Sequence, residues 1–204
     1  VEYVKKVLGN FSWVSVREKP LEEMLYKQMG ISADTVVDPS LFLSREDCLN
    51  IAIKPKETNY ICVYRVNPTS YLNRLAKKIA KEKGLKVVYV NAATIAMSKA
   101  DSYGPREILG YICYADVVLT SSFHGTAFSI INKKNFYSVY DGESSRVQGL
   151  LHILGLSDRF LSSYCDYQGF KDAEYSEEKM ASYVKHSQEL LLNAIDKSHK
   201  YSIV

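Results

Sequence analysis

Short runs of β-branched and aromatic residues alternate with segments of helical periodicity along this 204-residue chain, and that alternation leaves few folds open. "SWVSVR" (residues 12–17) reads as a strand, and Pro20 suits the first turn of the helical "PLEEMLYKQM" that follows. Leu21, Met24, Leu25 and Met29 recur there at helical spacing, Gly30 stands where a C-cap belongs, and "DTVVDP" is the next strand. From Tyr60 the theme repeats. "YICVYR" leads to a helix with Leu72, Leu75, Ala76, Ile79 and Ala80 on one face and Lys77, Lys78, Lys81 and Lys83 on a solvated one, then to Gly84 and the strand "KVVYVN". Pro105 opens "PREILGYICYA", followed by the strand "DVVLTSS", the helix "HGTAFSIINKK", the strand "NFYSVYDG" and the helix "SRVQGLLHILG". Such a series predicts an α/β fold, a Rossmann-like parallel sheet with helices on both faces joined by right-handed crossovers. Residues 44–59 lack strong periodicity and read as a connector, and 176–198 predict one long amphipathic helix.

Composition narrows the class. With 47% hydrophobic and 24% charged residues the chain can bury a core, which excludes disordered and fibrous proteins. A formal net charge of +3 is too small to argue for nucleic acid, so any bound anion is expected to be small. No apolar run reaches the roughly 20 residues of a membrane span, and the first residues lack a signal-peptide layout, so the expected location is cytoplasmic. Cys48, Cys62, Cys113 and Cys165 are widely spaced and read as free thiols. Neither zinc nor any other metal is expected, since no carboxylate or histidine cluster has ligand spacing. The chain starts on Val1 in mid-pattern, as a piece of a longer protein would.

In open parallel sheets ligands bind beyond the carboxyl ends of the strands, where helix N-termini also point. The residues that follow the predicted strands are Arg17, Arg65, Asn91, then Ser121, Ser122 and His124, then Asp141 and Gly142, with Arg106 and Arg146 in the first turns of helices. Guanidinium forks and helix N-termini suit a carboxylate or phosphate. Each residue also has an ordinary role available. Ser121, Ser122 and Thr126 can cap a helix, Arg65 and Arg106 can be surface arginines, and a single His can be structural. Asp34 and Asp38 read as turn residues, and His152, His186 and His199 as helix-surface groups away from the rim.

The order "VSVRE", "ADTVVDPSLFLS", "GPREILGYICYADVVLTSSFHGTAFSIINKKNF" and "SRVQGLLHILGLSDRF" resembles the polysaccharide pyruvyl transferase family over about residues 11–160, with S-S-F-H-G-T after the A-D-V-V strand as the most distinctive part. The resemblance implies a GT-B-like architecture of paired Rossmann-like domains with the reaction between them. Residues 1–50 would be the tail of the N-terminal domain and its connector, and 51–204 the C-terminal, donor-binding domain with a long last helix. It implies transfer of a pyruvyl group from phosphoenolpyruvate, with no further cofactor, to hydroxyls of a cell-surface polysaccharide sugar or its lipid-linked precursor. Such an acceptor would bring a cytoplasmic enzyme to the inner membrane face. Carried over residue by residue, His124 and Arg17 would be catalytic. Arg65, Ser121, Ser122, Phe123, Gly125, Thr126 and Arg146 would bind substrate, Gly125 by letting backbone approach it. Two rivals stand beside this reading. A nucleotide-sugar glycosyltransferase of the same architecture commonly presents a pair of glutamates, but Glu143 is isolated and Leu151 stands eight residues on. A non-catalytic phospholigand-binding domain would not need both Arg17 and His124.

Overall fold

The computed structural model describes residues 2–66, 70–90, 103–162 and 167–201; Asn91 and Cys165 lie outside them. Two compact units divide the chain, residues 1–42 with 176–204, and residues 43–175.

In the first unit, helix α1 (Glu2–Leu8) precedes strand β1 (Ser15–Val16), helix α2 (Lys19–Met29) and strand β2 (Asp34–Thr35). The strands pair in parallel, Ser15 with Asp34 and Val16 with Thr35, and are shorter than the alternating patterns suggest. Val16, Leu25, Met29 and Ala33 form the small core between them, as the apolar stripe of α2 requires.

The second unit holds the main sheet. Helix α3 (Arg45–Ile51) occupies the segment read as a connector, and its start is a capping box: Ser44 Oγ accepts from Asp47 N at 3.0 Å while Ser44 N donates to Asp47 Oδ2 at 2.8 Å. Then come β3 (Tyr60–Tyr64), α4 (Ser70–Lys83), β4 (Lys86–Val90), α5 (Pro105–Tyr114), β5 (Val117–Thr120), α6 (Phe123–Ile131), β6 (Asn135–Val139), α7 (Ser145–Leu154) and β7 (Phe160–Leu161). All five strands run parallel in the order β4-β3-β5-β6-β7. Period-two alternation splits their side chains between two faces. Ile61, Val63, Val117, Leu119, Tyr137 and Val139 pack against Leu72, Leu75, Ala76 and Ile79 of α4. The alternate residues Cys62, Val118 and Phe136 are wholly buried on the opposite face, where α5, α6 and α7 touch in series. Cys48, Cys62 and Cys113 are buried free thiols.

Two close contacts fix how the helices sit. Ile53 N donates to Arg106 O at 3.0 Å and Arg106 Nε to Ile51 O at 2.9 Å, so Arg106 is a tie between α5 and the end of α3 and leaves the candidate site. Gly110 is what lets that segment lie against α5, since a Cβ there would meet the Ile53 carbonyl oxygen at 1.8 Å. Beyond β7, the buried Arg159 donates to Lys171 O at 2.7 Å, pairs with Asp158 and covers the Tyr137 ring at 4.8 Å, clamping the returning chain to the sheet.

Helix α8 (Glu177–Tyr201), expected with residues 51–204, groups by contact with residues 1–42, and the division between the units falls after Phe42 where the expected boundary followed residue 50. It packs in the first unit, where the wholly buried Ser187 accepts from Val37 N at 3.0 Å and donates to Tyr183 O at 3.1 Å. That hydroxyl satisfies a backbone donor just past β2 that would otherwise be buried without a partner. Helix α3 joins the second unit through its ties to α5. Among the described residues no helix is long and apolar enough to cross a membrane.

Candidate functional site

The strand order turns back on itself between β3 and β5: β4 lies outside β3 on one side, and β5, β6 and β7 follow on the other. In open parallel sheets such a reversal is where ligands bind, beyond the carboxyl ends of the two central strands. Tyr64 pairs with Thr120, so Arg65 and Ser121 leave the sheet side by side. Ser121 N donates to Tyr64 O at 3.2 Å and Ser121 Oγ accepts from Val66 N at 3.3 Å, which stitches the two exits together.

The β5–α6 junction is built from hydroxyls. Thr120 Oγ1 accepts from Ser122 N at 3.0 Å and turns the chain. Ser122 then caps α6, its Oγ accepting from Gly125 N at 3.4 Å. Thr126 Oγ1 donates to Ser122 O at 3.1 Å and lies 2.7 Å from Ser138 Oγ on β6. Ser121, Ser122 and Thr126 each make framework hydrogen bonds through their hydroxyls, and Thr126 is wholly buried. Gly125 has a role inside the fold as well. A Cβ at this position would lie 2.2 Å from Thr120 Oγ1 and 2.9 Å from Tyr64 Cδ1, so the close approach that demands glycine is internal, between helix and sheet.

What remains at the rim is a smaller set. The amides of Phe123 and His124 in the first turn of α6 have no hydrogen-bond partner among the described residues, and the helix dipole favours an anion there. The His124 side chain is exposed, with its ring 5.8 Å from Phe123 and 6.5 Å from Phe128. Arg146, from the first turn of α7, lays its guanidinium 4.1 Å over the Phe123 ring, so the buried Phe123 is a platform shared by the imidazole and a cation. Tyr140, at the end of β6, stacks on Phe160 at 5.7 Å; burial pushes its hydroxyl up to about 12, against the pull of Arg146 and Ser144. Arg65 is half-buried, donating to Asn73 Oδ1 at 3.1 Å with its guanidinium 5.0 Å over the Tyr89 ring. At the α6 entry Arg146 and the His124 imidazole thus both contact Phe123 beside two first-turn amides, while Arg65, on the neighbouring strand exit, turns its guanidinium to Asn73 and Tyr89. Among the described residues no cluster of His, Cys, Asp and Glu could hold a metal ion.

Arg17 belongs to the first unit, where it pairs with Asp38. The expected turn role of Asp38 is only part of its work. Its carboxylate also accepts from Ser40 N at 3.0 Å and Ser40 Oγ at 2.8 Å. Burial alone would raise the Asp38 carboxyl, but the Ser40 bonds and Arg17 together hold it below the usual carboxylate range. A group whose pKa is depressed on folding stabilises the fold above its unfolded value, about 4 for Asp, and that gain is lost as pH falls through the folded value. The stability difference between the protein and Asp38→Asn, from urea titrations, should therefore be full at neutral pH and shrink as the pH falls below about 4. A difference that does not change with pH would show that the ionised pair contributes nothing.

The polysaccharide pyruvyl transferase family model matches residues 1–142. The chain belongs to that family. The matched span contains Arg17, Arg65, Ser121, Ser122, Phe123, His124, Gly125 and Thr126, while Arg146 lies just beyond it. Among solved structures, the wall teichoic acid polymerase TagF with CDPG is similar over 100% of this chain, at 11% identity and a TM-score of 0.51. At that identity the likeness is one of fold, GT-B-like, and this pyruvyl transferase family member spans 61% of the TagF chain. No curated protein matches.

Sequence reasoning gave Asp38 its turn role but missed its pairing with Arg17, and it missed Asn73, Tyr89 and Tyr140. Asp38 carried a signal, because Asp-Pro-Ser is the pattern of a carboxylate folding back on the backbone two residues on. Asn73 lies eight residues beyond Arg65 and Tyr89 on the neighbouring strand, and only the sheet order brings them to it.

Proposed function

We propose that this protein transfers a pyruvyl group from phosphoenolpyruvate to two hydroxyls of a sugar in a cell-surface polysaccharide or its lipid-linked precursor, forming a pyruvate ketal. The observation that carries this is the α6 entry of a chain in this family, where an exposed imidazole and the Arg146 guanidinium share the Phe123 ring beside two first-turn amides, next to the strand-order reversal. Phosphoenolpyruvate has a carboxylate and a phosphate close together. Arg65, Arg146 and the Phe123 and His124 amides supply donors of the kind both groups need.

A proton delivered to the methylene carbon turns it into a methyl and leaves C2 electron-poor. A sugar hydroxyl oxygen bonds to C2, the C2–O bond to phosphate breaks, and phosphate leaves with the electron pair. The second hydroxyl then bonds to C2 and closes the ring. Two hydroxyl protons are released in all; one balances the proton spent on the methylene and the other leaves with phosphate. An imidazole takes up and gives back protons near neutral pH, so His124 is assigned both transfers. Arg17, held by Asp38, is assigned to the same chemistry on the family pattern.

Calorimetry without added metal tests the donor. Phosphoenolpyruvate should bind, and Arg65→Ala with Arg146→Ala should weaken it about 100-fold or more, because each lost ionic hydrogen bond costs about 1.5–3 kcal/mol. Unchanged affinity in that variant, or binding of nucleotide sugars in place of phosphoenolpyruvate, would overturn the assignment.

A further inference from the structure

Helix α4 buries Tyr71, Leu72, Leu75, Ala76 and Ile79 and turns a different chemistry outward. Arg74, Lys77, Lys78 and Lys81 follow at intervals of three, four and seven residues, which places all four on one stripe opposite the core. The stripe is about 10 Å long at 1.5 Å per residue. Arg74, Lys77 and Lys81 are exposed, and none of these three makes an ion pair among the described residues; Arg74 donates to Ser70 Oγ at 3.4 Å. Lys78 leans over the Tyr167 ring at 4.9 Å, and Lys83, at the helix end, over the Phe170 ring at 4.3 Å. The one acid on α4, Glu82, accepts from Tyr167 Oη at 2.6 Å, so it is tied down beside the stripe.

The charge is lopsided. Helix α4 has five cations and one acid, a net +4, in a chain whose 26 basic and 23 acidic residues give +3, so everything else sums to −1. Like charges three and four residues apart weaken a helix, and here no alternating acids offset them. A solvated face needs no such concentration of one sign. A flat anionic surface complements it: a convex helix face meets a plane along its whole length, and the near-neutral remainder lets one face set the orientation. The stripe has no exposed aromatic side chain on which a base could stack, which disfavours single-stranded nucleic acid.

We infer that the Arg74, Lys77, Lys78 and Lys81 face of α4 docks the protein on anionic phospholipid headgroups of a membrane. The inference rests on the pyruvyl-transfer reading for its purpose, bringing the donor site to a lipid-linked acceptor; its charge argument stands without it.

Co-sedimentation of the full chain with vesicles tests it directly. Binding should be seen with phosphatidylcholine vesicles containing about 30% phosphatidylglycerol and not with phosphatidylcholine alone, and should fade as salt shortens the screening length from about 10 Å at 0.1 M to about 3 Å at 1 M. Lys77→Gln with Lys81→Gln should weaken it about 30-fold. Lys5→Gln with Lys6→Gln, the same loss of charge from exposed positions on α1, should leave it within a few-fold. No vesicle binding, equal losses in the two variants, or capture by soluble polyphosphate but not by vesicles would each overturn the proposal. Because no phosphoenolpyruvate is present, a negative result here and a negative donor titration fail independently.

Discussion

On the pyruvyl-transfer reading, replacing His124 by alanine should cut turnover about 100-fold or more while changing phosphoenolpyruvate affinity little, the pattern left when acid–base assistance is removed from the chemical step. The side chain can be deleted without collateral damage. It is exposed, its neighbours Phe123 and Phe128 meet it only through ring contacts, and the framework of the turn is carried by Thr120, Ser122 and Thr126. Thermal midpoints of protein and variant should accordingly agree within a few degrees. His124→Gln is the sharper control, because an amide donates a hydrogen bond but cannot cycle a proton. Near-native turnover in either variant would make His124 a surface residue of the α6 entry. Weakened affinity with unchanged turnover would make it a phosphate ligand.

Gly110→Ala should destabilise the second unit by about 3 kcal/mol or more, at the upper end of what overpacking a core costs. The added methyl would fall 1.8 Å from the Ile53 carbonyl oxygen and 2.8 Å from its carbon, and backbone cannot swing aside as a side chain would. Relief requires the 52–54 segment to lift, which breaks the Ile53 N to Arg106 O bond and strains the Arg106 tie to Ile51 O. The midpoint of denaturant unfolding reads the loss. Gly149→Ala on α7 is the control, since nothing lies within 4 Å of a Cβ there, and it should be neutral or slightly stabilising. Equal midpoints for the two variants would show that the 52–54 segment moves freely.

The alternation of strands and helices from Tyr60 onward was legible because each element carries its own period and its own ends: Pro105 in the first turn of α5, and a strand that stops where β-branched residues give way to Thr-Ser-Ser. Helix α3 was not. Its seven residues are too few for periodicity to register, and the Ser44–Asp47 box that starts it uses Asp where Glu or Gln is the commoner partner. The placement of α8 escaped for a different reason. An amphipathic pattern shows that a helix needs a cover but not which one, and the bond that decides it joins Val37 to Ser187 across 150 residues. The candidate site divides in the same way. The strand ends were readable one by one, which brought Arg65, the 121–126 stretch and Arg146 into view together. The framework partners of these hydroxyls, Ser138 for Thr126 and Val66 for Ser121, came into view only once the sheet was assembled.

The close contact at Gly125 has a bearing on motion. With no side chain there, the first turn of α6 sits directly on Thr120 and Tyr64, and it is tied to β6 through the Thr126 and Ser138 hydroxyls. Sliding or tilting the helix would break these contacts at the centre of the sheet, so its hydrogen-bonded amides beyond the first turn should be among the slowly exchanging ones of the second unit. Above that backbone the imidazole keeps only rotation about its two side-chain torsions. On the pyruvyl-transfer reading, its search for a reactive geometry would then be a rotamer hop on the picosecond to nanosecond scale.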